Sequence, residues 1–206
     1  MSAAMALLDQ LRLAGHPLHQ PPGGTPWNQA EIDDLVGPQE GLREAAVLVP
    51  VVRRDGETRL ILTRRNDTLR HHAGQISFPG GRIEADESPL HAALREAEEE
   101  IGLPPDATEA LGYLDPLATI TGFRVVPVLG LVHGEPILRP DPGEVAETFE
   151  VPLAFVLDPA NLEEHAREFR GRVRHYHVIR WRHYDIWGAT ASMIANLARR
   201  LRGECP

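Results

Sequence analysis

The stretch "GRIEADESPLHAALREAEEEIGL", residues 81–103, changes character partway along. Its first seven letters carry no apolar period. From Ser88 onward, apolar residues fall at Leu90, Ala93, Leu94, Ala97 and Ile101, the spacing of one helical face. Ser88 reads as the N-cap, Pro89 as the first helical position and Gly102 as the stop. The segment is therefore a loop, a helix and a loop. At about 100° per residue, Glu96, Glu99 and Glu100 gather on a different side from the apolar stripe. Like charges at that spacing repel by a few tenths of a kcal/mol per pair, so the cluster is unfavourable unless something positive stands among them. Hard carboxylate oxygens suit Mg²⁺ or Mn²⁺, and Mg²⁺ is usually held by one or two carboxylates, with water and substrate phosphates completing its shell.

Upstream of this helix, "EAAVLVPVV" (44–52) and "RLILTRR" (59–65) are β-branched apolar runs separated by "RRDGET". The Asp55-Gly56 pair predicts a hairpin. "FRVVPVLGLV" (123–132) and "RHYHVIRW" (174–181) read as further strands, and Pro127 predicts that the first is bulged or at a sheet edge. Ala189 to Leu201 repeats the helical spacing through Ile194, Leu197, Ala198 and Leu201. Strands interleaved with helices and long loops predict an α/β or α+β domain with helices packed on a sheet. Residues 1–42 read as a short helix and a Pro/Gly-rich loop, an N-terminal extension to a domain spanning 43–206.

The chain has 206 residues and a formal net charge of -9, with 42% hydrophobic residues, enough for one globular domain with a real core. The acidic balance argues against nucleic acid as a partner, although a local basic patch could still serve a small anion. Cys205 is the only cysteine, which excludes an intrachain disulfide and a Cys-based metal site. No run is apolar enough to span a bilayer, and "MSAAMALLDQLRLAG" lacks a basic segment before a long apolar core. A cytoplasmic protein without a membrane partner is expected, and a homodimer is left open.

A bare run of glutamates is usually a solvated surface. Here the surrounding letters matter: Gly81, Glu87, Arg95, Glu96, Glu99, Glu100 and Gly102 stand as G-x5-E-x7-R-E-x2-E-E-x-G. If each fixed letter matches about one time in ten, all seven coincide by chance on the order of once in ten million starts. The arrangement resembles the Nudix box of hydrolases that cleave a nucleoside diphosphate linked to another moiety. Ala97 departs from it, standing where a larger aliphatic residue is usual. The resemblance implies an α/β/α sandwich with a mixed sheet. It also implies Glu96 and Glu100 as principal metal ligands, Glu99 as a further ligand or proton acceptor, and Arg95 with Glu87 as an internal pair orienting the helix.

"LILTRRNDTLRHHAGQISFPGG", residues 60–81, resembles the extension found in the coenzyme A diphosphatase branch, L-L-T-x-R-[SA]-x3-R-x3-G-x3-F-P-G-G, with Ile61 and Asn66 as departures. The likeness continues through "TGFRVVPVLG", "GEVAETFEVPL" and "WGATASMIANL". It implies hydrolysis of coenzyme A, or its acyl or oxidised forms, to 3',5'-ADP and 4'-phosphopantetheine or its derivative. ADP-ribose, a dinucleotide or a nucleoside triphosphate remain alternatives, as does a nucleotide sensor without turnover, although such modules commonly lose box glutamates. Arg65 and Arg70, at a strand end and in the loop after it, could hold phosphate oxygens with their guanidinium forks. Gly80 and Gly81 let backbone come close to metal or phosphate. Glu144, in a loop outside the box, is a candidate general base or ligand, with Glu147 nearby. Adjacent His71 and His72 point to opposite sides of an extended segment and read as loop residues. Trp181, Tyr184 and Trp187 read as core or interface.

Overall fold

The computed structural model describes residues 3–36, 41–68 and 73–204, with side chains from residue 7 onward in those spans. Along the chain run α1 (Ala3–Ala14), α2 (Gln29–Val36), β1 (Arg43–Arg54), β2 (Glu57–Arg65), β3 (Ile76–Ser77), β4 (Gly80–Arg82) and α3 (Pro89–Ile101). Then come β5 (Thr108–Tyr113), β6 (Leu117–Thr119), β7 (Phe123–Val132), β8 (Val145–Pro152) and α4 (Leu153–Leu157). The chain finishes with β9 (Glu163–Phe169), β10 (Arg172–Trp181), β11 (Tyr184–Trp187) and α5 (Ala189–Leu201).

The two most apolar runs form the centre of a mixed sheet of order β3-β2-β1-β7-β5, to which β4 adds on β1, β6 on β7 and β8 on β2. β1 and β7 lie parallel, from the Arg43–Phe123 pair to the Val52–Val132 pair. All other pairings in this sheet are antiparallel. Strands covered on both faces must be apolar on both, which is why β1 and β7 read as nearly continuous hydrophobic runs. Ala46, Leu48, Ile61, Val126 and Val128 pack against Ala92, Ala93, Ala97 and Ile101 of α3. On the other face Val49, Val51, Leu60, Leu62 and Leu129 pack against Leu11 of α1, Val156 of α4 and Ala191, Ile194 and Leu197 of α5. The result is the expected helix-sheet-helix sandwich. A second antiparallel sheet of order β11-β10-β9 adjoins it.

Asp55 and Gly56, both with positive φ (50° and 81°), turn β1 into β2 as the expected tight hairpin. The expectation for Pro127 is corrected: β7 is an interior strand, and the bulge lies in its partner β5, between Ala110 and Gly112. The Pro127 carbonyl accepts from Leu114 N (2.9 Å), so its missing N–H faces the same side. There the partner changes from β6, paired with Phe123–Val125, to β5, paired with Val128–Val132. Pro50 behaves alike. Leu48 N donates to Pro79 O (2.9 Å), so Pro50, two residues on, also faces the seam between β4 and β2. Each proline sits where the ladder passes from one partner to another and a donor is least needed.

Among the described residues, two arginines of the sandwich and one of the second sheet hold main-chain carbonyls of the N-terminal segment. Arg124 NH2 donates to Pro22 O (2.6 Å), Arg174 NH1 to Glu31 O (2.7 Å) and Arg200 Nε to Ala14 O. His16 and Tyr113 exchange backbone hydrogen bonds (2.7 and 3.0 Å). Among the described residues no helix is long and apolar enough to cross a membrane.

Candidate active site

α3 starts and stops where the sequence says. Ser88 Oγ accepts from His91 N (3.2 Å), and Gly102 takes a left-handed conformation (φ 65°). Gly102 N then donates to Glu98 O (2.9 Å) and Leu103 N to Ala97 O (3.2 Å), which closes the helix and satisfies those two carbonyls. Ala97 is fully buried against the sheet.

The carboxylate face of α3 lies along the outer edge of β4. Gly80 N donates to Glu100 Oε2 (3.1 Å), and the Arg82 carbonyl accepts from Arg95 NH2 (3.0 Å). Between them, a Cβ on Gly81 would fall 2.4 Å from the carboxyl carbon of Glu96. Only glycine lets that carboxylate lie directly on the strand. A Cβ on Gly80 would instead meet Ala46 O at 2.4 Å, so this glycine serves the close pairing of β4 on β1.

Arg95 Nε and NH2 form a fork on Glu87 Oε1 and Oε2 (both 3.0 Å), tying the helix to the loop before it. Arg95 holds the Glu87 carboxyl below its usual pKa, and Glu87 raises that of the guanidinium. The remaining nitrogen of Arg95 reaches Glu96 Oε1 (3.0 Å) and Glu99 Oε2 (3.1 Å).

Glu100 is buried, at 4% side-chain exposure. Burial pushes its pKa up to about 7, against the opposing pull of the Gly80 N–H and Arg65, with Glu144 and Glu96 adding repulsion. Burial also raises Glu96, opposed by Arg95 and reinforced by Glu99 and Glu144. Glu144 thus belongs to the same electrostatic cluster. It stands in the turn before β8, where Asn66 N donates to Glu144 O (2.8 Å) and Asn66 Nδ2 to Pro142 O (2.6 Å). Arg65 lies between the carboxylates, 3.6 Å from Glu100 Oε1 and 4.0 Å from Glu144 Oε2.

The fold thus brings Arg65, Gly80, Gly81, Glu87, Arg95, Glu96, Glu99, Glu100 and Glu144 to one place. Arg70, with His71 and His72, lies outside the described residues. Glu147 is corrected from a loop to strand β8, on the opposite sheet face, where it accepts from Arg64 Nε (2.8 Å) and Tyr184 OH (3.1 Å). Tyr184 is core and stacks on Phe149 (3.7 Å between centroids), Trp181 packs tilted on Phe155, and Trp187 is somewhat under half exposed. Sequence reasoning missed the Arg64–Glu147–Tyr184 chain and the tether made by Asn66. Strict alternation along "RLILTRR" carried half of that signal, because it puts Arg64 and Arg65 on opposite faces. A cavity of about 500 Å³, lined by His16, Gln20, Trp27 and Asp115 among others, shares no residue with the carboxylate cluster.

Two desolvated carboxylates one helical turn apart, repelled by a third, form a donor set that suits a hard divalent cation. Among the described residues no three Asp, Glu, His or Cys side chains stand close enough together to enclose an ion. Glu96 and Glu100 would supply part of an oxygen shell, as is usual for Mg²⁺.

The profile of the NUDIX domain matches residues 42–173. A Cronobacter sakazakii protein named "Uncharacterized Nudix hydrolase NudL" is 46% identical over 167 residues, covering 80% of this chain and 85% of the relative. A Pectobacterium atrosepticum protein of the same name is 41% identical over 180 residues, 84% of this chain and 90% of the relative. Among solved structures, a C. elegans Ap4A hydrolase binary complex superposes with a TM-score of 0.48 at 19% identity, covering 53% of this chain and 80% of that one.

Proposed function

The chain belongs to the Nudix hydrolase family, and from that premise we propose that it is a Mg²⁺- or Mn²⁺-dependent diphosphatase of coenzyme A or its acyl or oxidised forms. The observation that supports the chemistry most is the Glu96–Glu100 pair, Glu100 buried and Glu96 partly so, both raised in pKa and laid on the backbone of Gly80 and Gly81. The substrate assignment rests on the 60–81 extension, whose Arg65 the fold places at the carboxylates. Residues 1–42 are taken as an extension to the catalytic domain, 43–206.

In this reading Glu96 and Glu100 would hold the cation, and Glu99 would join them as a further ligand on leaving Arg95. Bound there, it would supply positive charge for the diphosphate oxygens and lower the pKa of water. Arg65 and Arg70 grip phosphate oxygens and keep the substrate in line for attack. Glu144, about half exposed and beside Glu100 and Glu96, accepts the proton as water adds to phosphorus and the bridging oxygen leaves with the other phosphate. Glu99 is the other candidate acceptor, but Arg95 already engages its Oε2. Glu87, Arg95 and Gly102 fix the helix that carries these groups.

The test is product analysis by chromatography, with Mg²⁺ or Mn²⁺ and with chelator. Coenzyme A, dephospho-coenzyme A, ADP-ribose, NADH and a nucleoside triphosphate are compared side by side. Preferential release of 3',5'-ADP from coenzyme A, lost on chelation, is the expected result. Faster turnover of another diphosphate removes the substrate assignment and keeps the chemistry, while no turnover of any removes both.

A further inference from the structure

Among the described residues two guanidinium groups enter the carboxylate cluster, and they are held differently. Arg95 is fixed by a two-pronged fork on Glu87 and by the Arg82 carbonyl, all at 3.0 Å. Arg65 approaches Glu100 and Glu144 only to 3.6 and 4.0 Å, beyond hydrogen-bond length. Its buried Nε has no hydrogen-bond partner among the described residues. Arg65 is therefore held at Glu100 and Glu144 by charge, with a donor to spare.

A dication placed on Glu100 acts on this arrangement in two ways. It competes for the negative charge that holds Arg65, and it repels the guanidinium directly. Two positive charges and one, at roughly 6 Å in a water-like medium, interact strongly enough to change an equilibrium by about tenfold. A phosphate oxygen offers Arg65 the directed, charge-assisted bonds that the carboxylates do not.

We propose that Arg65 and the divalent cation compete for the Glu100 carboxylate, and that cation binding turns Arg65 onto the substrate's phosphate oxygens. This rests on the reading of Glu96 and Glu100 as metal ligands. Cation and diphosphate then bind cooperatively, and by linkage each strengthens the other equally. Arg65 serves as a coupling residue as well as a substrate contact.

The experiment measures Mn²⁺ binding to the full chain by electron paramagnetic resonance of free Mn²⁺, without turnover, in the absence and presence of methylenediphosphonate. Arg65→Gln should bind Mn²⁺ about tenfold more tightly than wild type and lose most of the tightening that methylenediphosphonate produces. Arg65→Lys, which keeps the charge, should stay within about threefold of wild type. Unchanged or weaker Mn²⁺ affinity in a folded Arg65→Gln protein overturns the proposal, as does equal tightening in Arg65→Lys. Glu100→Gln separates the two levels of inference. If wild type binds no Mn²⁺, or Glu100→Gln binds it as well as wild type, the metal-site reading fails and the exchange falls with it. If Mn²⁺ binding depends on Glu100 but not on Arg65, only the exchange fails.

Discussion

Glu100 shows at one residue how function and stability oppose each other. Its pKa rises from an ordinary carboxylate value of 4.5 to about 7 because folding takes it out of water. In the unfolded chain it ionises above pH 4.5, while in the folded protein it keeps its proton until about pH 7. Stability attributable to this group is therefore greatest below pH 4.5, declines as pH rises to about 7, and is flat beyond. The loss is about 3 kcal/mol at most. Glu100→Gln can still accept from the Gly80 N–H but carries no charge. Urea unfolding without divalent metal should find it more stable than wild type by about 1–3 kcal/mol at pH 8, and nearly equal at pH 4. Turnover should fall by at least about a hundredfold in the same protein, the scale of losing one electrostatic stabiliser. Equal stability at both pH values would show that Glu100 is not desolvated as described. Gly81→Ala works through shape alone. Its methyl group would collide with the Glu96 carboxylate. It should weaken Mn²⁺ binding measured by calorimetry while leaving the circular dichroism spectrum unchanged.

At the scale of the element, α3 is usable because both its ends are fixed. The Glu87–Arg95 fork anchors the entering loop, and Gly102 ends the helix in a conformation that an L side chain resists. Gly102→Ala should cost about 1 kcal/mol, measured as a lowered urea midpoint. Glu87→Gln should cost about 1–3 kcal/mol and lower kcat, since it leaves Arg95 with a neutral partner and frees it to turn further onto Glu96 and Glu99. A stable Glu87→Gln protein with full activity would mean that the fork does not orient the helix. The same element was the most legible in the sequence. Its cap, apolar stripe and stop lie within one turn of the residues they govern. Other strands were not legible, because β3, β4 and β6 are two or three residues long and the eight-residue β8 carries Glu147 and Glu150 on its faces. They are strands only because a longer neighbour pairs with them.

Across the whole molecule, the N-terminal segment is held by side chains far away in sequence. Arg124 is buried and spans Pro22 O, Gly24 O and Glu44. Arg124→Met should leave those acceptors without their donor, cost about 1–3 kcal/mol, and expose residues 17–27 to proteinase K. Mass spectrometry should find early cleavage there, and a cleavage pattern identical to wild type would show that Arg124 does not hold the segment. The sequence by itself determined the Glu96, Glu99 and Glu100 face of α3, the β1–β2 hairpin, the central apolar strands and the spacing that marks the family. These depend on backbone periodicity and on caps and turns a few residues long. Only the tertiary structure decided that Pro127 lies inside the sheet, that Glu144 shares a field with Glu100 while Glu147 turns away, and that Arg65 stands between two carboxylates. Each of these depends on which strands become neighbours and at what register. Burial, from which the raised pKa of Glu100 follows, exists only after packing has excluded water.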